Sequence, residues 1–237
     1  MSCVKTPPYL AELDGVHSSR YPTSLDSVLS ALAATAATRD EETHEHALSV
    51  AELSLRLAEE IGMPPKALTD VYWAARLHDV GKVVVPRAVL KREGSLKPEE
   101  FEVIRKHAQA GADIISQASP ELRGVALLVL HHHERWDGNG YPTGRREHDI
   151  PLGSRVIAVA DAFEALTADR PYRKALEPSR ALRLIRESSG SHFDPDVVTI
   201  FEGRIMRTAA VSEPRVMVGV AAQSPEGSAH CRLVDRV

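Results

Sequence analysis

The sequence has few cysteines and no long apolar run, and each shortage narrows the class of protein. Cys3 and Cys231 are the two cysteines among 237 residues, and because neither forms a CxxC pattern, no disulfide framework is expected. No apolar run approaches the ~18 residues of a membrane-spanning helix. The first ten residues, MSCVKTPPYL, lack the apolar core of a signal peptide. We therefore expect a cytoplasmic protein kept in a reducing environment.

Positive charge is not in excess either. The chain has 29 Lys and Arg residues against 33 Asp and Glu, which gives a formal net charge of −4. Because general binders of nucleic-acid polymers are basic, no such partner is expected. An anionic ligand would need a local cluster of positive groups. Histidine is the residue in excess, with eleven in the chain and three in succession at His131, His132 and His133.

Ala and Leu are abundant and the alternation typical of strands is scarce, which favours helix. Helical patterns cover residues 24–37, about 38–61, 68–78 and 98–117, then run from 119 into the histidines and start again at 154, 178 and 195, with a short turn or helix at 86–90. The predicted fold class is all-α, a bundle of about seven helices. Residues 1–22 are interpreted as a flexible N-terminal segment, 23–208 as one domain and 209–237 as a C-terminal tail.

Metal-ligand residue types recur along these helices. Glu42 and His46 are four residues apart, which places both on one helix face. Asp161 stands inside the apolar segment VIAVADAFEAL, where a carboxylate is costly to bury unless it is paired or bound to a cation. The full candidate set is Glu42, His46, His78, Asp79, His107, His132, His133 and Asp161. Five imidazoles and three carboxylates exceed one structural zinc site and suit two or three iron or manganese ions.

Each candidate also has a simpler interpretation. Glu42 and His46 could belong to a solvated helix face, since runs of charge are usually exposed. His107 alone could be a surface residue, and His78 with Asp79 could form a cap or turn. The three consecutive histidines could be an exposed helix end.

Several long motifs, in order, resemble the HD-GYP family of bacterial cyclic-di-GMP phosphodiesterases, a helical subset of the HD metal-dependent phosphohydrolases. They are AARLHDVGKVVVPRAVL, KHAQAGADII, HHERWDGNGYPTG, IPLGSRVIAVADAFEALTADRPYR and HFDP, within about residues 35–203. The resemblance implies an HD-type bundle with a GYP loop and metal-ligand roles for all eight candidates. It implies a bridging role for Asp79, and it associates Glu42 with the three-metal form of the site.

The resemblance also implies residues that handle the substrate. Lys82 is expected to reach a phosphate oxygen and to offset charge in the transition state, although it could be a plain surface lysine. Arg170 and Arg173 match substrate-contacting positions, and a guanidinium suits a phosphate or a guanine edge. The alternative for that segment is a helix-terminating turn. Tyr141 of the GYP loop is expected to stack on, or hydrogen-bond to, the nucleotide.

The sequence departs from the family pattern at a few positions. His44 replaces a glycine, Ser49 an arginine and Glu164 an aspartate, and residues 92–97 read REGSLK in place of the KPGxLT loop. No ligand type is lost. Glu164 keeps a carboxylate on a longer side chain, so whether it contacts the site is an open question.

The function that these motifs imply is hydrolysis of cyclic di-GMP to pGpG, with GMP as a further product to be tested. One alternative is an HD phosphohydrolase for another nucleotide, including a mixed cyclic dinucleotide. A second is a non-catalytic module whose GYP loop docks on a diguanylate cyclase (GGDEF) or adaptor domain; docking and catalysis can coexist. Homodimer formation stays open.

The three consecutive histidines are not expected to share one role. Consecutive helical residues point about 100° apart, so three in a row cannot all face one centre. In the family register His132 and His133 are the ligands, and substitution of His131 is expected to be tolerated better. Glu134 and Asp137 are close enough in sequence to accept hydrogen bonds from the ligand imidazoles. Residues 138–140 are interpreted as a flexible turn, and Tyr141 with Pro142 as its exit beside the substrate pocket.

Overall fold

The computed structural model describes residues 21–37, 41–90, 92, 96–169 and 174–212, and these residues form nine α-helices and no strand. The predicted all-α class is confirmed, with nine helices in place of about seven. The helices are α1 (Thr23–Ala37), α2 (Glu41–Ile61), α3 (Pro65–Leu77), α4 (Arg87–Leu90), α5 (Pro98–Ala118), α6 (Arg123–Leu130), α7 (Leu152–Thr167), α8 (Pro178–Glu187) and α9 (Pro195–Ser212).

The core is built on α2, α3 and α7, which pack against one another. Helix α2 buries Val50, Ala51, Ser54, Leu57 and Ala58, the spacing of an apolar stripe along one helix face. Helix α7 is buried on most sides, from Gly153 to Leu166, as its nearly continuous apolar sequence predicts. The polar residue Asp161 is therefore carried into the interior by a core helix.

The helical segment between α5 and the histidines starts where it was predicted, but the helix ends before it reaches the histidines. Ser119 Oγ accepts a hydrogen bond from Glu121 N at 3.2 Å, and Pro120 opens a 3-10 helix that leads into α6. Helix α6 ends at Leu130, and His131–His133 form turns instead of the last helical residues. The helical spacing of about 100° therefore does not apply to the triplet, and its side-chain directions are set by the turn.

Gly81 brings α5 against the segment after α3. It lies in the 3-10 helix Val80–Val84, and a Cβ added there would stand 1.9 Å from His107 O and 2.5 Å from Gly111 N, both backbone atoms of α5. Only a residue without a side chain permits this approach. The close contact places His107 beside the His78–Asp79 pair.

The GYP loop, residues 134–151, lies against the histidine turn. Gly138 has φ +81, a conformation that favours glycine, whereas a Cβ on Gly140 would stand 2.3 Å from Arg135 N and 2.5 Å from Glu134 Cα. Gly140 is required because the backbone packs closely around it. Residues 138–140 are therefore constrained by packing as well as by the turn, and flexibility alone does not explain their glycines. The Tyr141–Pro142 peptide bond is cis.

Helix α9 continues to Ser212, beyond the predicted domain end at 208. Most of the predicted N-terminal segment and C-terminal tail lies outside the described residues, and the division of the chain into these three segments stays a prediction. Among the described helices, none has both the length and the apolar character needed to cross a membrane.

Candidate metal centre

Seven of the eight predicted ligands come together in the interior of the bundle. They are His46 from α2, His78 and Asp79 at the end of α3, His107 from α5, His132 and His133 after α6, and Asp161 from α7. Potential ligand atoms of His46, His78 and Asp79 lie within 4.8 Å of one another, and so do those of His107, His132 and His133. Residues far apart in sequence thus form two adjoining groups of donors.

The interpretation of these residues as surface groups is wrong for most of them. The exposed fractions are 8% for His46, 1% for His107 and 2% for His132. Within the charge run at the start of α2, His44 and Glu45 are exposed and His46 turns inward. A buried imidazole needs hydrogen-bond partners or a cation, and the centre supplies such partners.

Three of the imidazoles are oriented by their own backbone. Nδ1 of His78, His107 and His132 lies 2.7, 2.7 and 2.6 Å from the carbonyl oxygens of Ala75, Ile104 and Val129, each three residues earlier. Because a carbonyl only accepts, Nδ1 carries the proton and donates. In the neutral form of each ring the lone pair is then on Nε2, through which a histidine can bind a metal.

Asp79 stands between the two groups of donors. Its Oδ1 lies 3.6 Å from His107 Nε2, and its Oδ2 lies 3.4 Å from His78 Nε2. Lys82 Nζ donates to the same Oδ2 at 2.5 Å. Burial raises the pKa of Asp79, but the charges of Lys82 and His78 outweigh it and hold the pKa well below its usual value. Asp79 is therefore an anion that faces both groups with different oxygens.

The other acid, Asp161, pairs with His46. Its Oδ1 lies 3.1 Å from His46 Nε2, and Nδ1 of the same imidazole contacts the Glu164 carboxylate. Burial lowers the pKa of His46, but the hydrogen bonds to Asp161 and Glu164 outweigh it and raise that pKa to about 9. Despite burial, His46 lowers the pKa of Asp161 to about 2. The open question about Glu164 is answered: its longer side chain reaches a predicted ligand.

The donor set fits a divalent cation. Burial lowers the pKa of His132 to about 3, and burial is also the largest cause that lowers the pKa of His133 well below its usual value. Both imidazoles are therefore neutral near neutral pH and can donate a lone pair. Two buried carboxylates, Asp79 and Asp161, supply negative charge beside them. Neutral imidazoles and ionised carboxylates are the forms in which these residues bind metals.

His131 is buried and contacts Glu134 of the GYP loop. It is 1% exposed, and its Nδ1 lies 3.5 Å from Glu134 Oε1. That oxygen also accepts hydrogen bonds from Thr143 N at 2.8 Å and Thr143 Oγ1 at 2.6 Å. His131 is therefore a buried neighbour of the residue that holds the GYP loop at Thr143, and the expectation that its substitution is tolerated better stays a prediction. Glu134 contacts His131 and Thr143, and Asp137 contacts Arg135 and Asn139, where contacts to His132 and His133 were expected.

The predicted substrate residues have different outcomes. Tyr141 lies in the wall of the centre, with its ring stacked on His133 at 4.8 Å between centroids. Lys82 is partly exposed beside Asp79. Arg170 and Arg173 lie outside the described residues, and so does the side chain of Glu42 in α2. Their roles stay predictions.

Two contacting residues were not identified by the motifs. Glu164 had an open role, and its contact with His46 could be anticipated only from its position one helical turn after Asp161. Arg105 lies two residues before His107 on α5, and its guanidinium carbon is 4.7 Å from the centroid of the Tyr141 ring. That contact joins α5 to a loop 36 residues later, which helical periodicity does not reveal.

Comparison with known proteins gives consistent matches. The HD domain family model matches residues 28–197. A cyclic di-GMP phosphodiesterase of Thermotoga maritima is 42% identical over 184 residues, covering 77% of this chain and 50% of that protein. A 3'3'-cGAMP-specific phosphodiesterase of Vibrio cholerae is 35% identical over 163 residues, covering 68% of this chain and 31% of that protein. This chain spans about half, or less, of the length of the curated relatives it matches.

Among solved structures, an HDG"Y"P protein from Bdellovibrio bacteriovorus matches with a TM-score of 0.56 and 22% identity, covering 69% of this chain and 52% of that chain. A cyclic GMP-AMP specific phosphodiesterase of Vibrio cholerae matches with a TM-score of 0.57 and 21% identity, covering 78% of this chain and 50% of that chain. At these identities the matches establish the fold.

Proposed function

This chain belongs to the HD domain family, as its motifs predicted, and on that premise we propose that it is a metal-dependent phosphodiesterase that hydrolyses cyclic di-GMP to pGpG. Relatives of 36–42% identity that carry the name cyclic di-GMP phosphodiesterase support this substrate. The proposal covers the part of those proteins that this chain matches. It assigns the reaction to the buried centre formed by these seven candidate ligand residues.

One observation carries the proposal: the backbone orients three imidazoles, and two of them, His78 and His107, place Nε2 3.4 and 3.6 Å from different oxygens of Asp79. The family implies binding of divalent metal ions. We propose two or three ions of iron or manganese, held by His46, His78, Asp79, His107, His132, His133 and Asp161, with Glu42 for a third ion. Hard oxygen and borderline nitrogen ligands without thiolates suit these metals.

When bound, such ions lower the pKa of water and neutralise charge on a phosphodiester. The protein side chains supply the rest. Asp79 keeps its negative charge because Lys82 and His78 stabilise it. The Lys82 side chain is 39% exposed and lies next to that carboxylate, and we propose that its ammonium group contacts a substrate phosphate oxygen. Glu164 and Asp161 fix the orientation of His46.

The remaining parts of the proposal concern recognition. Arg170 and Arg173 are proposed to contact phosphate or guanine. Tyr141 already packs on His133, so it is proposed to shape the pocket wall in addition to contacting the nucleotide. A GGDEF or adaptor partner at the GYP loop, a homodimer, a cytoplasmic location and GMP as the end product stay predictions.

A second substrate has specific support. Three relatives of 33–39% identity are named 3'3'-cGAMP-specific phosphodiesterases. A mixed cyclic dinucleotide shares both phosphodiester groups with cyclic di-GMP and differs in one base. Discrimination between the two therefore depends on contacts with base edges.

The proposal is tested with protein purified without a metal-chelating tag. Bound metals are measured by elemental analysis, and the protein is then supplied anaerobically with iron or manganese. Turnover of cyclic di-GMP and 3'3'-cGAMP is followed by chromatography, separately and in competition. We expect faster conversion of cyclic di-GMP to pGpG. No hydrolysis of either dinucleotide by metal-loaded protein would refute catalysis. Faster hydrolysis of 3'3'-cGAMP would mean that 3'3'-cGAMP, and not cyclic di-GMP, is the preferred substrate.

A further inference from the structure

Helix α5 presents a cationic side chain to the GYP loop at the edge of the metal centre. The guanidinium carbon of Arg105 lies 4.7 Å from the ring centroid of Tyr141 and 5.5 Å from that of Phe101. Phe101 is one helical turn before Arg105, and its ring contacts Tyr141 with centroids 6.3 Å apart. The two rings therefore hold the guanidinium between the helix and the loop.

The hydrogen-bonding capacity of Arg105 is only partly used. Its Nη1 donates to Glu102 Oε1 at 2.8 Å, but the Glu102 side chain is 64% exposed, and such surface pairs contribute little. Its Nε is buried and has no hydrogen-bond partner among the described residues. A buried donor without an acceptor costs free energy, so Arg105 is kept in this position by its packing and not by hydrogen bonds from Nε, and an incoming anion would bind at the Nη atoms.

Arg105 is also close to the candidate metal centre. Helix α5 carries it two residues before His107, and the Tyr141 ring that it covers stacks on His133 at 4.8 Å and lies 6.4 Å from the His107 ring. One aromatic ring thus separates the guanidinium from two predicted metal ligands. An anion bound by Arg105 would lie beside the metal centre, and a different anionic group would occupy the centre itself.

We propose that Arg105 binds the second phosphate group of the cyclic dinucleotide, the one that is not cleaved in the first step. This rests on the proposed function. A cyclic dinucleotide carries two phosphodiesters, and a planar guanidinium donates two parallel hydrogen bonds to phosphate oxygens. Arg105 is then a substrate-binding residue that favours cyclic dinucleotides over substrates with one phosphate. Tyr141 positions both Arg105 and His133.

The experiment compares two substrates on the metal-loaded full chain. Cyclic di-GMP has a second phosphate, whereas bis(4-nitrophenyl) phosphate has one. Arg105→Met keeps the apolar stem on Tyr141 and removes the charge. For cyclic di-GMP we expect kcat/KM to fall about 10- to 100-fold, mainly through KM, as for a lost charge-assisted hydrogen bond. For bis(4-nitrophenyl) phosphate we expect kcat/KM to stay at the wild-type value.

Two further variants separate charge from packing. Lys106→Gln removes the same charge from the neighbouring exposed position of α5 and should leave both substrates unaffected. Arg105→Lys keeps the charge without the fork and should recover part of the loss. Metal content should equal that of the wild type in all three variants.

The outcomes distinguish this inference from the proposed function. Equal losses on both substrates, or loss of metal, would mean that Arg105 only holds Tyr141 in place and would overturn the inference. No loss on cyclic di-GMP would overturn it as well, with the proposed function intact. Wild-type protein that cleaves bis(4-nitrophenyl) phosphate but not cyclic di-GMP would overturn both.

Discussion

Substitution of Gly81 by alanine tests whether a backbone contact, at a residue that offers no ligand atom itself, positions the candidate metal centre. The new Cβ would stand 1.9 Å from His107 O, a backbone atom that cannot rotate away. Ordinary carbon contacts need about 3.5 Å, so α5 and the 80–84 segment must separate by about 1.5 Å. His107 Nε2 now lies 3.6 Å from Asp79 Oδ1, and it would move with its helix.

The size of that movement decides the expected result. A metal site tolerates displacement of its ligand atoms by only about 0.2 Å, so a shift several times larger should release the ion that His107 helps to bind. Overpacking costs about 1–3 kcal/mol in unfolding free energy, or roughly 2–12 °C in Tm for a domain of this size. We therefore expect a folded variant with reduced metal content and strongly reduced turnover, measured by elemental analysis, thermal melts and cyclic di-GMP hydrolysis.

Gly62→Ala is the matched control. Gly62 has φ +81 and no atom within 4 Å of an added Cβ, so the substitution strains the backbone without a collision. It lies 16 residues after His46 along α2 and its following turn, about 24 Å away at the helical rise. It should lower Tm and keep the metals. Wild-type metal content and turnover in Gly81→Ala would refute the argument that this contact positions His107.

Three other perturbations have distinct expected results. Asp79→Ala should abolish turnover and lower the metal content while circular dichroism still shows a helical bundle; full activity would mean that the centre is misplaced. Glu164→Gln should weaken metal binding about 10- to 100-fold in a chelator titration, because the partner of His46 Nδ1 loses its charge; an unchanged affinity would contradict that role. In chelator-treated protein, the raised pKa of His46 stabilises the fold fully below about pH 6.5, and this contribution is lost as the pH rises toward about 9. Melts over that range should show a smaller decline for His46→Gln than for wild type.

The helices could be predicted from the sequence because their signals are local. Pro65, Pro98, Pro178 and Pro195 each stand at the first position of a helix, and the apolar spacing of α2 repeats over its length. That the candidate ligand residues lie close together could be predicted because each belongs to a motif that stands in a fixed order along the chain. Seven of those residues meet in one centre, which shows that motif order carried the tertiary information here.

Other features depend on contacts that no local pattern contains. The end of α6 at Leu130 could not be predicted, since the histidines are themselves compatible with helix and their turn is fixed by packing of Glu134 and Gly140. The reach of Glu164 to His46 depends on how α2 and α7 pack. The burial of His131 depends on the return of the loop at Thr143. These contacts join residues far apart in sequence. They determine how the site residues are oriented, whereas the motifs already indicate which residues belong to the site.

The carbonyl acceptors of His78, His107 and His132 have a consequence for how the site can vary. Since the main chain selects the proton-bearing nitrogen in these three rings, exchange of neighbouring side chains leaves their tautomers unchanged. His46 differs, because its Nδ1 depends on the side chain at position 164. Substitution at position 164 by a carboxylate of different length or an amide would therefore change the hydrogen bond to His46 alone. The preference among metals could be adjusted there, while the backbone keeps the tautomers of the other three imidazoles.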